Sequence, residues 1–262
     1  MPDFLITGTD TGIGKTIIAA ALIKTLRARG VRALGFKPAE TGQPDKAEGE
    51  PRDSVLLARA SGETTPLATP LLQLAEPLAP AVAAERAGTV IHPEEIEQRI
   101  GLLRRAGYTL VVEGAGGVMV PLAWQDQKEI GSPAPFYSVL DLAEHCSLET
   151  LIVARPGLGT LNHVALTVAM LCARNIAVKA VVLNGRTPRA LSPEPEARSP
   201  EPGPDLAEST NPAALARMLS DIRVRNVPII EVPRHDTPGT AGVTDVHALV
   251  DATVPYLSQL VP

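Results

Sequence analysis

The chain is predicted to fold as a single-domain α/β protein around a doubly wound, mainly parallel sheet, and three features of the sequence predict it. Short apolar runs recur along the chain with helical patterns between most of them, the alternation that a parallel sheet covered on both faces requires. Several runs are apolar throughout instead of alternating, as buried parallel strands are. The first run passes through a glycine-rich turn straight into a helical pattern.

The first strand is expected at Phe4 to Thr7, followed by Gly8-Thr-Asp-Thr-Gly12-Ile13-Gly14-Lys15-Thr16 and an alanine-rich helix from Ile17 to Arg29. Glycines let the backbone wrap inward and aim N–H groups at phosphate oxygens. Lys15 supplies a mobile cation, and the Thr16 hydroxyl can ligate magnesium. The helix that starts near Thr16 turns its positive end on the same place. A plain Gly/Thr-rich connection does not account for Lys-Thr after Gly, so the fold is read as the P-loop NTPase type. The usual spacing would need glycine at position 9, where Thr9 stands, and the loop is therefore a variant.

A second strand, Leu34 to Lys37, is stopped by Pro38 and is expected to bring Lys37 beside the phosphate loop; a surface lysine is the competing reading. Asp53 stands where a helix begins and could simply cap it. In the helix from His92 to Arg105, Pro93 suits the first turn, acids follow, and arginines precede Gly107, which makes it a scaffold element. The run Thr109 to Val112 is closed by Glu113 and followed by Gly114-Ala-Gly-Gly117. An acid at the end of a buried strand needs a cation, and magnesium held by Thr16, Asp53 and Glu113 would supply one.

The strand Leu151 to Ala154 leads through Arg155-Pro-Gly-Leu-Gly159 into a helix reaching about Arg174. The free N–H groups at its start could hold a carboxylate, or Thr160 could be an ordinary N-cap. The strand Val178 to Asn184 ends on an amide able to pair with the adenine edge, with an Asn-Gly turn as the alternative. Ile229 to Val232 is the last strand, and Val246 to Leu260 is core packing and not a membrane anchor. Between them, Thr187 to Pro212 carries seven prolines among Glu, Ser and Arg and is expected to be a flexible insert without regular structure.

Across the 262 residues the formal charge is −5, which argues against a nucleic-acid surface. Cys146 and Cys172 lack the spacing of a metal site and are read as buried thiols of a reducing compartment. With no leader-like start and no apolar run long enough for a bilayer, the expected location is cytoplasmic, without membrane contact.

Taken in order, Thr7-Gly-Thr-Asp-Thr11 with Gly14-Lys15-Thr16, Gly35-Phe-Lys37-Pro38, Ala75-Glu-Pro77, Val112-Glu113-Gly-Ala-Gly-Gly117, Leu158-Gly159 with Asn162-His163, and Asn184 before Thr187-Pro188 resemble the dethiobiotin synthetases of biotin biosynthesis. The resemblance spans nearly the whole chain apart from the proline-rich insert and a divergent stretch from Gln125 to Tyr137. That family's loop has the same extra residue. The resemblance implies an enzyme that uses ATP and CO2 to close 7,8-diaminopelargonate into a cyclic urea through a carbamic-phosphoric anhydride, with Mg2+ as cofactor.

Position by position, it implies nucleotide binding by Gly12, Ile13, Gly14, Lys15 and Thr16, and adenine recognition by Asn184 with Val232, Pro233 and Arg234. It implies magnesium at Thr16, Asp53 and Glu113, catalytic roles for Lys37, Lys15 and Thr11, and a substrate contact from Thr41. The carboxylate tail of the diamine would be held by the helix start Gly159, Thr160, Leu161 and Asn162 across a homodimer interface. Many members carry Glu where this chain has Gly12, so that contribution is absent. A ParA- or MinD-like switch ATPase is the main alternative, but the expected signature lysine early in the loop is missing. An amidotransferase-type synthetase would need a glutaminase domain for which no sequence remains.

Overall fold

The computed structural model describes residues 1–42, 52–62, 65, 68–125, 135–185, 206–221, 227–233 and 246–261. The chain opens with β1 (Phe4–Gly8), α1 (Lys15–Ala28), β2 (Ala33–Phe36), β3 (Ala39–Glu40), α2 (Asp53–Ser61) and β4 (Leu72–Gln73). It continues with α3 (Pro80–Arg86), α4 (Pro93–Arg105), β5 (Thr109–Gly117), β6 (Pro121–Trp124), β7 (Phe136–Ser138) and α5 (Val139–His145). The rest is β8 (Glu149–Ala154), α6 (Thr160–Ala173), β9 (Val178–Asn184), α7 (Leu206–Asp221), β10 (Ile229–Val232) and α8 (Val246–Leu257).

Six strands form one parallel sheet in the order β10-β9-β8-β1-β5-β2. Successive strand side chains point to opposite faces, and each face builds its own core. Phe4, Ile6, Val111, Leu151 and Val153 pack with Ile18 and Leu22 of α1, Leu57 of α2 and Leu257 of α8. Leu5, Val112 and Ile152 pack on the other side with Ile96 and Ile100 of α4, Val164 and Val168 of α6, and Leu215 of α7. Helices thus cover both faces, and strands buried on both sides have no use for alternating polarity. In α1 the run from Ala19 to Ile23 has no exposed surface; three consecutive alanines let this helix lie close to the sheet.

The placement of Lys37 differs from expectation in one respect. β2 is not beside β1; β5 lies between them. β5 also does not end at Glu113 but continues through the glycines to Gly117. Ile6 pairs with Glu113 and Gly8 with Gly117, so β5 advances four residues while β1 advances two, a bulge. Glycine is needed there: a Cβ on Gly114 would come within 2.8 Å of Val139 Cγ1. Glu113 therefore sits inside a strand, opposite Ile6 of β1.

The short pairs β3/β4 and β6/β7, and helices α3 and α5, have no counterpart in the sequence reading. The last seven residues of the proline-rich stretch also depart from it, because α7 begins at Leu206 and runs through Pro212. Leu215 and Leu219 are buried, and Asn211 donates to the carbonyls of Pro156 and Gly157 at 2.6 and 2.9 Å. These tertiary contacts offset the backbone bond that Pro212 cannot donate. The remainder of the insert, 187–205, and residues 126–134 of the divergent stretch lie outside the described residues. No helix among the described residues is long and apolar enough to cross a membrane.

Candidate active site

The loop after β1 is built by two left-handed glycines, Gly12 at φ +67° and Gly14 at φ +86°, the second serving as N-cap of α1. Thr9 N–H bonds the Val153 carbonyl at 3.0 Å, tying the loop's start to β8. Asn184, at the end of β9, donates its Nδ2 to the Ile13 carbonyl at 2.9 Å. Asp10 is held by Thr11 N–H at 2.7 Å and by an ion pair with Arg155. Lys15 Nζ donates to the Asp10 carbonyl at 2.9 Å, so its ammonium lies across the loop.

Four elements converge next to this loop. Thr16 Oγ1 on α1 donates to Glu113 Oε1 of β5 at 3.0 Å, and Lys37 Nζ, just beyond β2, donates to the same oxygen at 2.8 Å. Lys37 also pairs with Asp53 at the start of α2. Lys37 reaches the site not by lying beside β1 but because the intervening strand carries Glu113 to it. Asp53 is the first residue of α2 and not its cap, which is Arg52.

Burial pulls Lys37 down, but the Glu113 and Asp53 carboxylates outweigh it and hold the ammonium above the ordinary lysine value. Burial pushes the Glu113 carboxyl above its usual range, against the pull of Lys37. The two directions oppose each other across one contact; the 2.8 Å separation and the second ammonium of Lys15 favour the charged pair. Burial also lowers Lys15, with Glu113 acting against it and Lys37 with it. The second oxygen of Glu113, Oε2, is buried without a hydrogen-bond partner among the described residues. A buried carboxylate oxygen left open beside a hydroxyl and another carboxylate is a donor set suited to a hard cation.

A cavity of about 390 Å³ lies beside the loop, with Thr9, Asp10 and Thr11 on its polar side and Met119, Val120 and Pro121 on its apolar side. A larger one, about 470 Å³, lies behind α2 between Val55, Thr69 and Leu71, and neither cavity is lined by Thr16, Lys37, Asp53 or Glu113. The smaller adjoins the phosphate loop through Thr9, Asp10 and Thr11 and the end of β5 through Gly116 and Gly117.

The remaining residues singled out in the sequence stand apart from this cluster. Thr41 follows β3 and is half-buried. Gly159, at φ +91°, is the N-cap of α6, so Thr160 is the first helical residue and not the cap. The Thr160 hydroxyl is buried with no partner among the described residues. Leu161 and Asn162 follow on the first turn, while Leu158 is 95% exposed. Pro233 follows β10, and Arg234 lies outside the described residues. The sequence reading misses Arg155 as a partner of the loop, Asn211 as a support for the approach to α6, and Glu40, buried at the end of β3 against the start of α2. Each acts through a contact between distant segments, for which no local signal exists.

An AAA domain family matches residues 3–260. The chain is 39% identical over 228 residues to the ATP-dependent dethiobiotin synthetase BioD of Anaeromyxobacter dehalogenans, covering 86% of this chain and 94% of that one. It is 32% identical over 253 residues to the enzyme of the same name from Thermodesulfovibrio yellowstonii, covering 94% and 98%. The corresponding protein of Aquifex aeolicus is 34% identical over 239 residues, covering 90% and 94%.

Proposed function

The chain belongs to the ATP-dependent dethiobiotin synthetases, and from that premise we propose how its residues divide the reaction. One amine of 7,8-diaminopelargonate takes up CO2 as a carbamate, whose oxygen attacks the γ-phosphate of ATP. The second amine then displaces phosphate from the mixed anhydride, closing the ring of dethiobiotin and leaving ADP and phosphate. The protein has little covalent work; it positions the partners and neutralises charge. The observation that carries this reading is Lys37 joined to Glu113 and Asp53 beside a phosphate loop whose Thr16 contacts the same carboxylate.

The backbone of Gly12, Ile13 and Gly14 and the ammonium of Lys15 receive the phosphates, Lys15 leaving the Asp10 carbonyl to do so. Lys37 and Thr11 face the reacting oxygens. The cavity beside Thr11 suits an aliphatic chain carrying amines, with Met119 and Val120 on its apolar side and Thr41 as a further polar contact. Asn184, Pro233 and Arg234 hold the adenine. The tail carboxylate meets the α6 start, Gly159 to Asn162, where the Thr160 hydroxyl lacks a partner among the described residues. A second copy supplies that helix: Leu158 just before it and Leu166 and Met170 on it expose apolar surface, the kind of face a homodimer covers.

Thr16, Asp53 and Glu113 would hold magnesium, and the open Glu113 Oε2 supports that fit. The ion, when bound, would draw negative charge from the phosphates. Lys37 contacts both carboxylates through one oxygen of each and would share them with the ion. We place the enzyme in the cytoplasm, where Cys146 and Cys172 stay free thiols; burial pushes the Cys146 thiol up to about 11.

ADP release is expected to require both the diamine and bicarbonate. Release indifferent to either would point instead to a partner-switching ATPase. Glu113→Ala is expected to raise the Mg2+ concentration for half-maximal activity by about tenfold, roughly 1.4 kcal/mol of lost coordination. A magnesium titration superimposable on that of the unaltered enzyme would contradict the ligand assignment.

A further inference from the structure

We propose that Glu40 is a positioning residue of this site: its buried carboxylate caps α2 from a neighbouring strand and so holds Asp53 against Lys37. The inference rests on the reading of Asp53 given above. The beginning of α2 lacks a local side-chain cap. The N-cap of α2 is Arg52, extended at ψ 151°, with no side-chain capping bond. A guanidinium has no acceptor to offer the free N–H groups of a first turn.

Glu40 supplies the acceptor. Its Oε1 accepts the Ser54 N–H at 2.7 Å, and its Oε2 accepts the Ser54 hydroxyl at 2.9 Å and the Gln73 amide at 3.0 Å. Only 1% of the residue is exposed, and a carboxylate so buried persists only when its oxygens are satisfied. It also places negative charge at the positive end of the helix. Gln73 in turn accepts from Arg52 at 2.5 Å, and the Glu40 carbonyl accepts the Leu74 N–H at 2.8 Å. The beginning of α2 is thereby fastened to the β3/β4 pair on both sides of Asp53.

Lys37 and Glu40 lie three residues apart on one segment. That segment carries both the ammonium that Asp53 contacts and the acceptor that fixes the helix bearing Asp53. A rigid link between the two follows, and a displaced α2 start would weaken the Lys37–Asp53 pair without touching any substrate group.

The test is a double-mutant cycle in the full-length enzyme. Glu40→Gln, which keeps the side-chain shape but removes the charge and one acceptor, is expected to lower kcat about tenfold with the KM for ATP nearly unchanged. Asp53→Asn is expected to lower kcat at least as far, and the double variant no further than Asp53→Asn alone. Amide hydrogen exchange at residues 52–57 is expected to speed up in Glu40→Gln while β5 stays protected. Multiplicative losses in the double variant, or unchanged exchange at residues 52–57, would overturn the role of Glu40. An Asp53→Asn enzyme of full activity would instead remove Asp53 from the mechanism, and this inference with it. If Glu40→Gln does not fold, Gln73→Leu on the exposed side of the network serves. A smaller loss that vanishes in the Asp53→Asn background supports the proposal, and one that persists there refutes it.

Discussion

Lys37→Gln is expected to lose about a thousandfold in turnover while remaining folded, the loss produced by removing one preorganised group from developing charge in a buried site. The ammonium stands 2.8 Å from Glu113 Oε1 and also pairs with Asp53, so it is aimed before any substrate arrives. Glutamine preserves a donor to Glu113 but no charge. Steady-state kinetics decide the matter, since turnover like that of the unaltered enzyme would take Lys37 out of the mechanism.

The same variant carries a pH signature whose sign is fixed by the pair. Lys37 is held above its ordinary value of 10.5, so its contribution to stability is complete at neutral pH and is lost only as pH rises through the folded-state value. Without it, Glu113, already pushed up by burial, rises further. An acid raised on folding destabilises the native state increasingly as pH climbs from its unfolded value toward its folded one. The gap in melting temperature between the two proteins should therefore narrow as pH falls toward 4.5, the ordinary value for glutamate. A gap independent of pH would show that the carboxylate is not what Lys37 compensates.

Much of the sheet is legible in the sequence because buried parallel strands announce themselves by apolar runs, as in Leu151 to Ala154 and Val178 to Asn184. Their spatial order is not, since nothing in β1 or β2 records that β5 will lie between them. Reach across β5 depends on Glu113, whose place in mid-strand is hidden by the four small residues that follow it. Glycines ordinarily end a strand; here Gly114 is required by the packing of Val139 and Gly117 by its pairing with Gly8.

The site divides in the same way. Lys15 and Thr16 are marked by the loop, while Lys37, Asp53 and Glu113 each stand at the edge of a readable element, and the five come together. Glu40 and Asn211 carry no such mark. A glutamate between Ala39 and Thr41 reads as a loop acid until Ser54 and Gln73 are seen to surround it. Asn211, among prolines and serines, reads as part of an insert until Leu215 and Leu219 fix α7 against α6 and its amide meets the carbonyls of Pro156 and Gly157.

Gly14→Ala is expected to weaken ATP binding by about a hundredfold or more, measured by calorimetry without the diamine. Two effects combine. At φ +86° a Cβ strains the backbone by about 1–2 kcal/mol. That Cβ would also fall inside contact distance of Asn184 Nδ2. Asn184 is only 4% exposed and has little room to retreat. Moving it breaks the 2.9 Å bond to the Ile13 carbonyl, and leaving buried polar groups unpaired costs about 1–3 kcal/mol. Gly12→Ala separates the two effects, because Gly12 is also left-handed, at φ +67°, yet no atom lies within 4 Å of its added Cβ. Strain alone should then cost that variant no more than about tenfold to thirtyfold. Equal losses at the two glycines would mean that the contact with Asn184 does not set the shape of the loop. A much larger loss at Gly14, partly relieved by Asn184→Ala, would mean that the end of β9 holds the phosphate cradle in place.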